Sequence, residues 1–365
     1  MGSIGFFNSV MSWGGGEKWH YEAALYFAEK GFKVCFYTRY NSELYKKLTL
    51  IKSISVRIVD VKGVSFLNPY KIHKLKKSFS DAQIDTLLIN LPNDVKLAAH
   101  AAKLAGVRRI IYRRGSAIPI KNSLLNRFTF KYWLTDILAN SQATKKTILQ
   151  HNTNLFPKEN IKVIYNPIDV QGFVNQSFTP IYSAQDDELV IGNLGRLEYE
   201  KNQRFLIRLS EQLQKRGVRH KIIIGGSGRL EQELREEAQR HNVSDNILFA
   251  GFITNVKDLL SSCDVFILPS LWEGFGYVLA EASLCRKPII AFNLSSIPEV
   301  VINGESGFLI ENNVEECLEK VLTLKEDPAL RKRMGDAGFN HIAATFDRDK
   351  LMEEVEEYLT YTNKR

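Results

Sequence analysis

The sequence predicts an α/β protein of two tandem domains, each built on a parallel sheet. Three observations carry that expectation. Short apolar runs alternate with helical segments of roughly 10–15 residues, the pattern of βαβ units. The alternation breaks once, at the irregular polar stretch QGFVNQSFTPIYSAQDDE after Asp169, and then resumes. The halves also differ in charge: residues 1–175 hold 26 Lys and Arg against 11 Asp and Glu, and the remainder 23 against 30. The chain of 365 residues is long enough for two domains of about 100–200 residues each.

IGFF (Ile4–Phe7) is the first strand. The loop NSVMSWGGGEK leads to a helix expected from about Glu17 to Lys30, and Gly31 ends it. KVCFYT, SVRIVDV, IDTLLIN, RRIIYR, DILANS and KVIYNP supply further strands, with NPYKIHKLKKSF and DVKLAAHAAKLAG as helices among them. Past the polar stretch the strands are LVIGNLG, HKIIIGG, NILFAG, DVFILPS, PIIAF and GFLI. Helices run to Gly217, over RLEQELREEAQRHN, NVKDLLSSC and about Val314–Leu324, and the charged segment DRDKLMEEVEEYL closes the chain. The expected division is residues 1–170, joined by a final helix at about 346–365, and residues 171–345.

Composition excludes several classes. A 44% hydrophobic, 25% charged chain fits a globular protein. No apolar run approaches the roughly 20 residues that span a bilayer. MGSIGFFNSV lacks the basic and apolar regions of a secretory signal, which points to the cytoplasm. Cys35, Cys263, Cys285 and Cys317 are far apart, without metal-ligand spacing, and read as buried thiols. The basic first half points to an anionic partner: a membrane surface, a nucleic acid or an acidic substrate.

Four loops carry candidate chemistry. WGGGEK (Trp13–Lys18) puts Gly15 and Gly16 before a helix, where backbone can approach a ligand closely, or simply makes a flexible turn. It is not the dinucleotide G-x-G-x-x-G, which follows its strand directly. In GRLEYEKN (Gly195–Asn202), Arg196 leaves a strand end and Lys201 is read at the next helix start. Two cations there suit a diphosphate, or are solvated surface charges. GGSG (Gly225–Gly228), with Gly226, is another strand-to-helix turn. In PSLWEGFGYVLAEASL, Phe275 and Gly276 can offer N–H groups to phosphate. Glu273 and Glu281, eight residues apart, can accept hydrogen bonds from sugar hydroxyls. In the first half, Asp94 is either an acid at a strand end or the cap of the helix that follows. Arg113 and Arg114 are candidates for an anionic acceptor. DRD (Asp347–Asp349) reads as helix capping, not as a metal site.

The order GGGEK, ILANSQATKKTIL, VIYNPID, GRLEYEKN, IIIGGSGRLEQEL and PSLWEGFGYVLAEASLCRKPIIAFNLSSIPEVVINGESGFLI resembles the retaining glycosyltransferases of family 4, over nearly the whole chain. The resemblance implies the GT-B fold, two Rossmann-like domains facing across a cleft. It implies an N-terminal domain for the acceptor and a C-terminal domain for a nucleotide-sugar donor, UDP- or GDP-linked, with no metal or other cofactor. Carried over residue by residue, Arg196 and Lys201 grip the donor diphosphate. Glu281 takes the ribose hydroxyls, and Glu273 meets the sugar near the reacting centre. Phe275, Gly276 and Gly226 add contacts, and Gly15 and Gly16 admit the sugar diphosphate. Many relatives carry His or Asp where this chain has Arg113 and Arg114, which leaves Asp94 as the local acid. The acceptor expected is a glycan or lipid-linked sugar in lipopolysaccharide or polysaccharide synthesis. The basic, aromatic segment KNSLLNRFTFKYWL and the cluster KIHKLKK suggest an enzyme peripheral on the inner face of a cell membrane. The rival readings are a nucleotide-sugar epimerase of the same fold and a basic nucleic-acid-binding protein. Neither accounts for both glutamates in their setting, and no nucleic-acid partner is expected.

Overall fold

The computed structural model describes residues 2–360. It forms two compact units, Met1–Pro167 with Arg348–Arg365, and Ile168–Asp347. Charge follows the units: 30 Lys and Arg against 15 Asp and Glu in the first, 19 against 26 in the second.

The first unit has strands β1 (Ser3–Asn8), β2 (Lys33–Thr38), β3 (Ile54–Ile58), β4 (Thr86–Ile89), β5 (Arg109–Arg114), β6 (Asp136–Ala139) and β7 (Ile161–Val163). They pair in parallel in the order β3-β2-β1-β4-β5-β6-β7. Every residue of β1 and β4 is buried. Helices on both sheet faces require such unbroken apolar runs, where a half-exposed strand would alternate. The helices are α1 (Gly15–Glu29), α2 (Glu43–Leu48), α3 (Pro69–Asp81), α4 (Pro92–Leu104), α5 (Leu124–Tyr132) and α6 (Gln142–Ile148). Ser42, Asn68, Ser123 and Ser141 cap α2, α3, α5 and α6 by accepting a main-chain N–H. Helix α1 starts two residues earlier than expected, inside the triple glycine, because Gly14 serves as its cap residue.

The second unit has strands β8 (Leu189–Leu194), β9 (His220–Gly225), β10 (Ile247–Gly251), β11 (Val265–Leu268), β12 (Ile289–Phe292) and β13 (Gly307–Ile310). Their order is β10-β9-β8-β11-β12-β13, again parallel. In each sheet the winding reverses once, between β1 and β4 and between β8 and β11. Loops diverge at such a point and leave a crevice at the strands' carboxyl ends.

Helices α7 (Val170–Asn175), α8 (Arg204–Lys215), α9 (Glu231–Arg240), α10 (Val256–Ser261), α11 (Tyr277–Leu284), α12 (Ile297–Val300), α13 (Val314–Glu326) and α14 (Pro328–Thr345) complete the unit. The stretch expected to be an irregular linker instead opens with α7. It is then pinned to α10: Thr179 N–H donates to Asp258 Oδ1 at 2.7 Å, and Lys257 Nζ to the Val174 and Gln176 carbonyls. Composition alone concealed this, because the stretch's own share of these bonds is backbone. Helix α14, also unmarked in the sequence, follows a capping Asp327 and a Pro at its first turn. A Cβ on its Gly335 would lie 2.0 Å from the Arg286 carbonyl, so glycine is what lets α14 reach the end of α11.

The chain crosses between the units twice. Ile168 N–H donates to the Phe346 carbonyl at 2.8 Å, and Ile168 pairs with Asp347 as an isolated parallel bridge. The DRD triplet sits here, and α15 (Arg348–Thr360) starts at its second residue. This helix joins the first unit. It buries Leu351, Met352, Val355 and Leu359, and Tyr26 Oη donates to Glu356 while Lys162 pairs with Glu354. Met352→Ala should therefore cost about 2–5 kcal/mol of unfolding free energy, measured by urea denaturation. A loss below about 0.5 kcal/mol, the range of an uncoupled surface substitution, would contradict this packing.

Candidate functional site

The reversal point of the second sheet gathers several of the sequence candidates. After β8 the chain makes a loop and a 3-10 turn, Tyr199–Lys201, before α8. Lys201 thus lies on this turn, not at the helix start that the sequence suggested. Asn202 has φ +52°, a left-handed conformation that Asn tolerates better than most residues, and its Nδ2 donates to the Pro269 carbonyl at 3.2 Å. Leu271 N–H donates to the Glu200 carbonyl at 2.8 Å. The loop after β8 is therefore stitched to the loop after β11, and the stitch brings Lys201 to Glu273. Lys201 Nζ donates to the Glu273 carboxylate, and the two side chains are only 16% and 10% exposed. Arg196, by contrast, is 73% exposed and donates to Glu200 at 2.9 Å.

Gly226 packs against the same loop. Its φ is +128°, and a Cβ there would lie 1.9 Å from the Gly195 carbonyl oxygen. The glycine is demanded by the chain's own backbone, and its N–H is spent on the Gly251 carbonyl. On the β11 side the Glu273 carbonyl accepts from Ser296 Oγ at 3.3 Å. Phe275 is buried against Tyr277 and Phe346, with ring centroids 5.2 Å apart in each case. Gly276, at φ +83°, is the cap residue of α11. Glu281 is half-buried within that helix, beyond its first turn. Tyr199 and Trp272 flank the Lys201–Glu273 pair as exposed aromatics, with centroids 6.3 Å apart. No motif in the sequence marks these two aromatics, although both lie close along the chain to Lys201 and Glu273.

The reversal point of the first sheet carries a different construction. Glu17, in the first turn of α1, accepts from Asn8 Nδ2 and Asn90 Nδ2, each at 3.1 Å. Asn90 Oδ1 accepts from Arg113 Nη1 at 3.3 Å, and Arg113 Nη2 donates to Asn166 Oδ1 at 2.6 Å. The Arg113 guanidinium also lies 4.5 Å from the Trp19 ring centroid. A buried relay thus runs across the ends of the central strands and anchors the glycine-rich start of α1. Gly15 is the first residue of α1, and a Cβ on Gly16 would sit 2.9 Å from Asn90 Nδ2. Burial, reinforced by the Arg113 charge, holds His20 well below its usual pKa, so it is neutral. The relay was missed because Asn8, Asn90 and Asn166 are separated by about 80 residues each, and only the fold unites them.

Arg113 is 2% and Arg114 5% exposed. Arg114 donates to Tyr112 Oη and to the Ile118 carbonyl. Neither guanidinium is presented to solvent, so the expected grip on an anionic acceptor is set aside for this pair. Asp94 is also corrected: it does not cap α4, whose cap residue is Leu91. Its carboxylate instead accepts from Ser9 N–H at 2.9 Å and Ser9 Oγ at 2.6 Å, tying α4 to the end of β1. Complete burial pushes its carboxyl up to about 7, against the opposing effect of the Ser9 bonds.

Two parallel sheets, each reversing once with glycine-bearing loops at its carboxyl ends, define the two-domain Rossmann-like class of α/β proteins. The sequence profile of the family described as Glycosyltransferase Family 4 matches residues 13–171, and that of Glycosyl transferases group 1 matches residues 175–341. The chain belongs to these glycosyltransferases, of GT-B fold. It is 28% identical over 304 residues to a Campylobacter jejuni N-acetylgalactosamine-N,N'-diacetylbacillosaminyl-diphospho-undecaprenol 4-alpha-N-acetylgalactosaminyltransferase, covering 80% of each chain. It is 26% identical to an uncharacterised Haemophilus influenzae glycosyltransferase over 97% of this chain and 99% of that one. Among solved structures, Anabaena HepE in complex with UDP superposes with a TM-score of 0.83 at 20% identity, covering 99% of this chain and all of the other.

Asp94 gives the first unit a pH signature. Its folded pKa is raised from 3.8 to about 7, so the folded state keeps a proton that the unfolded state has already lost. Its contribution is complete below about pH 4 and is lost as pH rises to about 7. Relative to Asp94→Asn, the wild type should lose unfolding free energy between about pH 4 and pH 7 and level off above, as measured by denaturant titration at each pH. A constant gap between the two proteins would refute the raised pKa.

Proposed function

We propose that this glycosyltransferase moves a sugar from a nucleotide diphospho-sugar, UDP- or GDP-linked, to a glycan or lipid-linked acceptor, with retention of anomeric configuration. The observation that carries the reading is the Lys201–Glu273 pair at the reversal point of the second sheet, with Arg196 on the same loop. An ammonium and a guanidinium on one loop at the carboxyl end of the sheet suit a diphosphate. A carboxylate next to the ammonium suits the hydroxyls of the attached sugar. Glu281, farther along α11, is placed on the ribose side. The names of the relatives agree with this chemistry: one acts on a diphospho-undecaprenol-linked sugar, and HepE was solved with UDP.

In the reaction the bond between the anomeric carbon and the diphosphate oxygen breaks, and its electron pair leaves with the diphosphate. Arg196, Lys201 and main-chain N–H groups stabilise that charge without a metal. The acceptor hydroxyl attacks the same face of an oxocarbenium-like sugar. Its proton passes to the departing phosphate oxygen, so no covalent intermediate forms on Glu273. Thermal shift with UDP-, GDP- and ADP-sugars tests the donor, because a bound ligand raises the melting point by mass action. Lys201→Ala should weaken the binding of the nucleotide that responds by at least about tenfold. Transfer should persist in EDTA and give a product of unchanged anomeric configuration by NMR. No shift with any nucleotide, inversion, or loss of transfer restored by Mn²⁺ would each reject its part of the proposal.

The acceptor side is placed on the basic first unit, against an anionic membrane surface. Helices α3, α4 and α5 pack in a row. One face of α5 is ordinary core packing, with Thr129 and Phe130 buried. The opposite side exposes Leu124, Phe128 and Tyr132 beside Arg127 and Lys131, and α3 adds exposed Tyr70, Lys74 and Lys77. Basic and aromatic side chains interleaved in this way match an anionic bilayer interface. No helix among the described residues is long and apolar enough to cross a membrane. The protein should co-sediment with anionic vesicles at low salt and release at high salt. Equal sedimentation with neutral vesicles would reject this surface.

A further inference from the structure

Both cations assigned to the donor diphosphate already have a carboxylate partner: Arg196 has Glu200, and Lys201 has Glu273. The two pairs differ in surroundings. The Arg196 side chain is 73% exposed, so water and salt screen its pair. Lys201 and Glu273 are shielded, at 16% and 10%, where attraction is stronger and an unpaired charge is costly. The Glu273 backbone has little freedom to withdraw. Its carbonyl accepts from Ser296 Oγ, Phe275 is buried two residues on, and α11 follows at once.

A diphosphate reaching Lys201 must therefore share the ammonium with a carboxylate held in place. While the donor sugar is attached, its hydroxyls give that carboxylate other hydrogen-bond donors, and Lys201 is left to the phosphates. Once the sugar has been transferred those donors are gone. The carboxylate then returns to Lys201 in competition with the product. We infer that Glu273 is a resident counter-ion that competes with the nucleoside diphosphate for Lys201 and so promotes its release. This rests on the donor-site reading above and assigns a second task to the same residue.

The test measures binding of UDP and GDP to the full chain by calorimetry, with dissociation rates by stopped flow. Glu273→Gln keeps the size and removes the charge. It should bind whichever nucleotide the wild type binds about tenfold more tightly, through slower dissociation. Glu200→Gln, which frees only the exposed cation, should change affinity by no more than about twofold. The double variant Lys201→Gln/Glu273→Gln should lose the gain. Glu273→Asp, with a shorter reach to Lys201, should show an intermediate gain and serves if the Gln variant does not fold, as judged by thermal unfolding. Glu273 variants that fold but bind the nucleotide equally or less tightly overturn the counter-ion role. Wild-type binding to neither nucleotide overturns the donor-site reading instead.

Discussion

The structure depends on the single change of winding direction in each parallel sheet. A parallel strand needs a crossover connection, and right-handed crossovers place successive helices on one face until the order reverses. Between β1 and β4, and between β8 and β11, the strand order reverses, and at such a point the connecting loops run to opposite sides and leave a crevice. In the second unit those loops are joined by Lys201 and Glu273, and in the first by Glu17, Asn8 and Asn90. The same topology thus holds two polar constructions of different character. One is a compact pair at the mouth of the loops; the other is a buried relay that braces a helix start.

That contrast explains how far the sequence could be read. Two α/β units, their parallel sheets and the family were legible, because strands buried on both faces are apolar throughout, as in IGFF and VFIL, and because the motifs keep their order. The loops bearing Arg196, Lys201, Gly226 and Glu273 were also marked, since glycine and charge stand out after an apolar strand. Pairing was not legible. That Lys201 meets Glu273 depends on two loops 72 residues apart being stitched by one backbone bond and one from the Asn202 side chain to a carbonyl, and neither partner carbonyl is marked in the sequence. Arg113 and Arg114 read as candidates for an anionic acceptor, but both are buried against Asn90, Asn166, Trp19 and Tyr112, which a linear reading does not assemble. Asp94 had the position of a helix cap, but the nearer demand came from Ser9 at the end of β1.

Glycine is used here in more than one way. Gly276 adopts a left-handed backbone that other residues resist, whereas Gly226 and Gly335 also answer to lack of room beside a carbonyl. The letter is the same in each case. Only the neighbour distinguishes conformational need from close approach, and close approach is to the protein's own backbone at both positions.

The bridge between Ile168 and Asp347 joins the two ends of the 180-residue second unit, so that unit is an insertion whose termini meet. The helix that completes the first unit is encoded after it. During synthesis the ribosome therefore releases the first unit without its last helix, leaving the surface that receives Met352 and Val355 bare while the insertion is made. Domains commonly mature in the order they emerge. Here the second unit is complete before the first has received its last helix.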